Sequence, residues 1–108
     1  MKKIMAVFPT EREEKVKAEL FKLDIGGMLT TRLIGLGLPR GEDKKEKKYY
    51  EQPKKKLEII VTDPACDIAV EILMKCLHTG KIGDGKIFIS QVDDAIRIRT
   101  GERGPIAV

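Results

Sequence analysis

A chain of 108 residues with no tryptophan, two tyrosines and three phenylalanines is the size of one domain, and its core must rest on Ile, Leu, Val and Met. No run approaches the ~18 apolar residues of a membrane span, and "IMAVF" near the start is too short for a signal peptide, so a cytoplasmic chain with no membrane insertion is expected. The formal charge of +4 arises within residues 40–56, where eight basic residues meet four acidic ones, so the positive balance describes one segment and not a basic protein.

Residues 2–8 ("KKIMAVF") predict a strand that Pro9 ends. Thr10 and Glu13 stand at capping-box spacing, and Val16, Leu20 and Leu23 recur on one helical face, which predicts a first helix. "DIGG" stops it, and residues 28–36 ("MLTTRLIGL") predict a second strand. From Gly37 to Lys56 there is no apolar periodicity, so a long exposed loop is expected. Residues 57–62 ("LEIIVT") predict a third strand, and Asp63 with Pro64 reads as an N-cap followed by proline in the first turn. In the second helix Ile68, Ile72 and Cys76, flanked by Leu73 and Leu77, are expected to face inward, with Gly80 as the C-terminal stop. Residues 86–92 ("KIFISQV") predict a fourth strand and 95–100 ("AIRIRT") a short extended piece.

The order β-α-β-loop-β-α-β is the ferredoxin-like arrangement, an α+β sandwich of four antiparallel strands with two helices on one face, formed by residues 1–108 as a single domain. One sheet face stays bare in that fold, and burial against copies of the same chain is expected. Cys66 and Cys76 would stand ~15 Å apart along one helix, too far for a disulfide. Neither has a second ligand at metal-binding spacing, so two buried thiols and no metal site are expected.

The stretch "TGKIGDGKIF" (residues 79–88) has the G-x-x-x-x-G-K spacing of a phosphate-binding loop, but Ile87 replaces the required Ser or Thr. Its context, helix then glycines then strand, is also the reverse of a P-loop. Two readings remain: a plain connecting turn, or a turn whose N–H groups converge on phosphate while Lys86 supplies charge. In "AIRIRTGERG" strand alternation would put Arg97 and Arg99 on one face, either as a solvated edge or as a guanidinium pair suited to phosphate oxygens.

"TGKIGDGKIF" followed by "DDAIRIRTGERG" resembles the carboxy-terminal signature of the PII nitrogen-regulatory signal-transduction family. "MKKIMAV", "GGMLTTRLIGLG" and "PKKKLEIIVTD" are similar to the family pattern elsewhere, so the likeness covers the chain apart from the long loop. The resemblance implies a homotrimer with ATP or ADP as regulatory ligand in each cleft between neighbours, and no enzymatic turnover. By position it implies that Gly83, Asp84, Gly85 and Lys86 hold the phosphates together with Arg97 and Arg99. Gly35, Leu36, Gly37 and Leu38 would form the other wall, and Ile60 would lie near the base. Residues 38–55 would be the mobile loop that contacts a target protein, such as an ammonium channel, a nitrogen-assimilation enzyme, or a regulator outside nitrogen metabolism.

Where the family carries a glutamine that helps bind magnesium and 2-oxoglutarate, "GLPRGE" has Pro39, with neither a ligand side chain nor a backbone N–H. That tells against both ligands, although Lys54 matches a family lysine associated with 2-oxoglutarate. Whether Tyr49 or Tyr50 matches the tyrosine modified in some relatives stays open. A rival reading takes "KKEKKYYEQPKKK" (residues 44–56) as a nucleic-acid surface with stacking aromatics, but Glu46 and Glu51 weaken it, so no nucleic acid is expected. For catalysis there is no nucleophile–base constellation: His78 sits at a helix end, and Asp93 and Asp94 are adjacent.

Overall fold

The computed structural model describes residues 1–37 and 50–108. The elements are β1 (Lys2–Pro9), α1 (Glu13–Leu20), β2 (Leu29–Gly37), β3 (Tyr50–Val61), α2 (Asp63–Leu77) and β4 (Lys86–Gln91). They build one antiparallel sheet in the order β2-β3-β1-β4, the ferredoxin-like topology expected from the sequence. Strand alternation explains the core. Ile4, Ala6 and Phe8 of β1 share a pleat face with Leu57, Ile59 and Val61 of β3, since Ile4 pairs with Ile59 and Ala6 with Leu57, and all six are buried. Val16 and Leu20 of α1 and Cys66, Ala69, Leu73, Cys76 and Leu77 of α2 close over them. Each large apolar side chain so buried contributes roughly 1.5–3 kcal/mol. The opposite pleat face carries Met5, Val7, Ile60 and Phe88, none of them fully buried.

Several local expectations are corrected by tertiary contacts. Thr10–Arg12 form a 3-10 turn ahead of α1 with no side-chain cap. The Glu13 carboxylate turns instead to Lys55 at 2.9 Å and Lys17 at 3.2 Å. Lys55 is only 7% exposed on the helix-covered face, where an ammonium requires a counterion, and that demand outweighs a capping box. Lys55 first, then Lys17, holds the Glu13 carboxyl below the usual carboxylate range.

In α2 the N-cap is Thr62, and the helix ends at Leu77, where the His78 N–H bonds to the Met74 carbonyl at 2.9 Å. The inward stripe runs through Cys66, Ala69 and Leu73, while Ile68 is 49% exposed and Ile72 only partly buried. Ala69 and Cys66 are both buried in the core, and burial pushes the Cys66 thiol up.

The expected loop 38–55 is corrected at its far end: β3 begins at Tyr50, and its residues 50–55 pair with residues 32–37 of β2. Backbone ladder bonds need no apolar side chain, so "YEQPKK" forms strand without a hydrophobic signature. Residues 38–49, with Leu38, Pro39 and Tyr49, lie outside the described residues. Among the described residues no helix is long and apolar enough to cross a membrane.

Candidate functional site

The glycine turn joins α2 to β4, and its own residues hold it closed. Asp84 Oδ2 accepts the backbone N–H groups of Thr79 at 2.7 Å and Gly80 at 3.0 Å, and Oδ1 accepts the Thr79 hydroxyl. Those bonds, the hydroxyl foremost, keep the Asp84 carboxyl below its ordinary value. Asp84, expected beside phosphate, therefore spends its carboxylate on the turn. At Gly85 (φ +108°) a Cβ would stand 1.8 Å from the Val7 carbonyl oxygen, so only glycine lets β4 meet β1 there. The Gly83 carbonyl accepts the Lys54 ammonium at 2.7 Å. The stem of Lys54 crosses Gly35, where a Cβ would lie 2.9 Å from Lys54 Cγ. Gly35, Lys54 and Gly83 thus join the end of β2, the start of β3 and the turn. Leu36 and Gly37 follow, paired with Glu51 and Tyr50. Lys86, exposed at the first position of β4, has no hydrogen-bond or ion-pair partner among the described residues.

The remaining expected residues stand at the other end of the sheet. A cavity of about 410 Å³ is lined there by Gly27, Met28, Leu29, Glu58, Ile60 and Arg97, with Ala107 and Val108 along one wall. The Glu58 carboxylate is held by Lys3 at 3.2 Å and Lys56 at 3.3 Å, which lowers its pKa, Lys3 first. Arg97 donates from Nη1 to Glu102 Oε1 at 2.8 Å and from Nη2 to the Ile106 carbonyl at 3.0 Å.

The extended piece expected at 95–100 is a hairpin instead. The only bridge there is Ile96 with Arg103, and the chain turns over Arg97, whose carbonyl accepts the Gly101 N–H at 2.7 Å. The base is fastened by Arg103 on Asp94 at 2.6 Å, the main cause of a lowered Asp94 pKa. The turn ends strand alternation at Ile98, which is 99% exposed, and carries Arg99 on the exposed tip. Arg97 and Arg99 are consequently not paired by strand alternation, because the turn over Ile98–Thr100 begins between them.

Distance separates the two groups. At ~3.3 Å per residue, Lys54 and Ile60 on β3 are ~20 Å apart, and β4 puts Lys86 ~17 Å from its own far end, beyond which Arg97 lies. One chain does not bring the glycine turn and the arginine into a single pocket. Gly27, Met28, Leu29 and Glu58 were missed by sequence reasoning. "GG" reads as punctuation, and Glu58 gains its place only through cross-strand register.

The family described as "Nitrogen regulatory protein P-II" matches residues 1–102. The chain belongs to the P-II family. The match spans both ends of the sheet and stops within the hairpin. "Nitrogen regulatory protein P-II 2" of Methanothermobacter thermautotrophicus is 45% identical, covering 100% of this chain and 97% of that protein. "Nitrogen regulatory protein P-II" of Azospirillum brasilense is 37% identical with 100% of both chains covered. Among solved structures, the B. subtilis GlnK–ATP complex superposes on this P-II chain with a TM-score of 0.88 at 33% identity, covering 99% of this chain and 94% of that one.

Proposed function

We propose that this P-II protein is an adenine-nucleotide sensor that regulates partner proteins of nitrogen metabolism, with ATP or ADP bound in clefts between the protomers of a homotrimer. The observation that carries this reading is the split site. Gly83, Gly85 and Lys86 stand at one end of the sheet, and Ile60, Glu58 and Arg97 line a cavity at the other, so each end is half of a site that a neighbouring copy completes. Lys86 and Arg97 neutralise the phosphates, with Arg99 beside them on the hairpin tip, and the Asp84 carboxylate shapes the turn. Gly35, Leu36, Gly37 and Leu38 lie at the root of the segment that would report the bound nucleotide to the target. The ATP in the related GlnK complex supports the ligand class. The bare sheet face with Met5, Val7, Ile60 and Phe88 supports burial against copies.

The same reading takes residues 1–108 as one cytoplasmic domain that senses and does not catalyse, acting on an ammonium channel or a nitrogen-assimilation enzyme. Pro39, where the family pattern has glutamine, tells against magnesium and 2-oxoglutarate, while the Lys54 ammonium gives one N–H to the Gly83 carbonyl and keeps its others for a ligand. Nucleotide alone then biases the loop, which requires that ATP and ADP differ in affinity for its states.

Titration calorimetry tests the assignment. Lys86→Ala and Arg97→Ala should each weaken ATP at least ~10-fold with little change in unfolding midpoint. Mixing the two variants under subunit exchange should restore some tight sites, because a cleft made from one wild-type half of each is intact. Unchanged affinity in both variants would overturn the reading, and failure of the mixture to recover would place both halves on one protomer.

A further inference from the structure

We propose that residues 104–108 are a built-in competitor for Arg97, displaced when a phosphate-bearing ligand enters the cavity. This inference rests on the assignment of Arg97 to the phosphates and adds a regulatory contact to that site. The two amino groups of Arg97 are held differently. Nη1 is bound to Glu102 Oε1 at 2.8 Å, and the same oxygen accepts the Thr100 hydroxyl at 2.8 Å, so that carboxylate is fixed by the hairpin itself. Nη2 is bound at 3.0 Å to a carbonyl of the following segment, that of Ile106.

That segment lies along the cavity wall. Ala107 and Val108 line it beside Arg97, and the Val108 carbonyl carbon comes so near Gly26 that a Cβ there would stand 3.2 Å away. It is otherwise loosely attached. Ile106 is 65% exposed, and the 3-10 turn Gly104–Ala107 is closed by the Val108 N–H on the Pro105 carbonyl at 3.2 Å. The firm anchoring stops at Gly104, whose N–H bonds to the Ala95 carbonyl at 2.9 Å and whose φ of +80° gives the chain its bend. The family match also ends before this segment, at residue 102.

The exchange has a definite direction. A phosphate oxygen is charged where the Ile106 carbonyl is not, so it adds the attraction of an ion pair to the hydrogen bond and matches the guanidinium fork. A nucleotide therefore wins Nη2 while Glu102 keeps Nη1 in place. A nucleoside without phosphate gains nothing at Arg97 and leaves the segment seated. The contact reduces apparent affinity for phosphorylated ligands by the fraction of time that Arg97 is engaged, and so raises the nucleotide concentration at which the site fills.

Two variants test this with ATP and adenosine as probes. A chain ending at Gly104 should bind ATP at least about tenfold more tightly, the worth of one displaced bond to a charged donor. The pair Gly26→Cys with Val108→Cys, oxidised to tether the segment, should bind ATP more weakly than the same protein after reduction. Folding of each is checked by its melting curve. Should the shortened chain fail to fold, the tethered pair decides alone, since its two forms are one polypeptide. Equal or weaker ATP binding by a folded shortened chain, or no change on reducing the tether, would overturn the inference while Arg97→Ala still weakens ATP. Unchanged binding in Arg97→Ala would instead remove the assignment on which it rests.

Discussion

At the glycine-turn end of the sheet, position is set by backbone approach: β4 meets β1 so closely at Gly85 that no side chain fits beside the Val7 carbonyl. At the arginine end, position is set by surface ion pairs, Arg97 with Glu102 and Arg103 with Asp94, on a hairpin with one isolated bridge. The contrast separates folding from binding. A contact made by backbone cannot be exchanged for a ligand, so substitutions there should damage the structure. A guanidinium held by a carboxylate and a carbonyl can change partners, so substitutions there should alter binding.

The sharpest way to break that comparison is Gly85→Ala. A Cβ at 1.8 Å from Val7 O, at a positive φ, forces β4 away from β1, and a loss of at least about 3 kcal/mol is expected. Urea denaturation reads it directly, and an unshifted midpoint would mean that the two strands are not so close. A smaller effect belongs to the helix-covered face of the same end. Lys55→Met keeps the aliphatic stem but leaves Glu13 with Lys17 alone, which should cost about 2 kcal/mol. Stability equal to the unsubstituted chain would show that the pair is solvated.

The mildest test compares two carboxylates. Asp84 and Asp94 both have lowered pKa values, so each contributes stability that is complete above its unfolded value, about 4, and disappears as pH falls through the folded value. The Asp84 partners are neutral, whereas the first partner of Asp94 is a guanidinium. Raising salt should therefore move the Asp94 titration, followed by carboxyl NMR, toward the ordinary range and leave that of Asp84 nearly still. Equal displacement of the two would dissolve the distinction between the ends.

The strands and helices were legible where side chains carry the signal. The apolar run that Pro9 ends and the spacing of Val16 and Leu20 identify β1 and α1 without any tertiary knowledge. Reading failed where a distant partner decides. Residues 50–55 look like loop because β2, and not their own composition, makes them strand. Glu13 looks like a capping residue until Lys55 is placed above it. In α2 both Ile68 and Leu73 are apolar, and only the packing direction selects Leu73. For the candidate site, the glycine turn was legible in residue type, since Gly83 and Gly85 imply a tight turn, but the Asp84 carboxylate that closes it on Thr79 was not. The cavity with Gly27 and Glu58 was not, because it exists only where β2, β3 and the hairpin converge.

The sequence by itself determined the order of elements, the residue types at the glycine turn and the family, because periodicity and local motifs are properties of neighbouring residues. Tertiary structure alone decided that Lys86 and Arg97 stand at opposite ends of the sheet, and that Arg97 is already engaged by the chain's own carbonyl. Those facts depend on strand length and register, which convert a few residues of sequence into ~17–20 Å of separation.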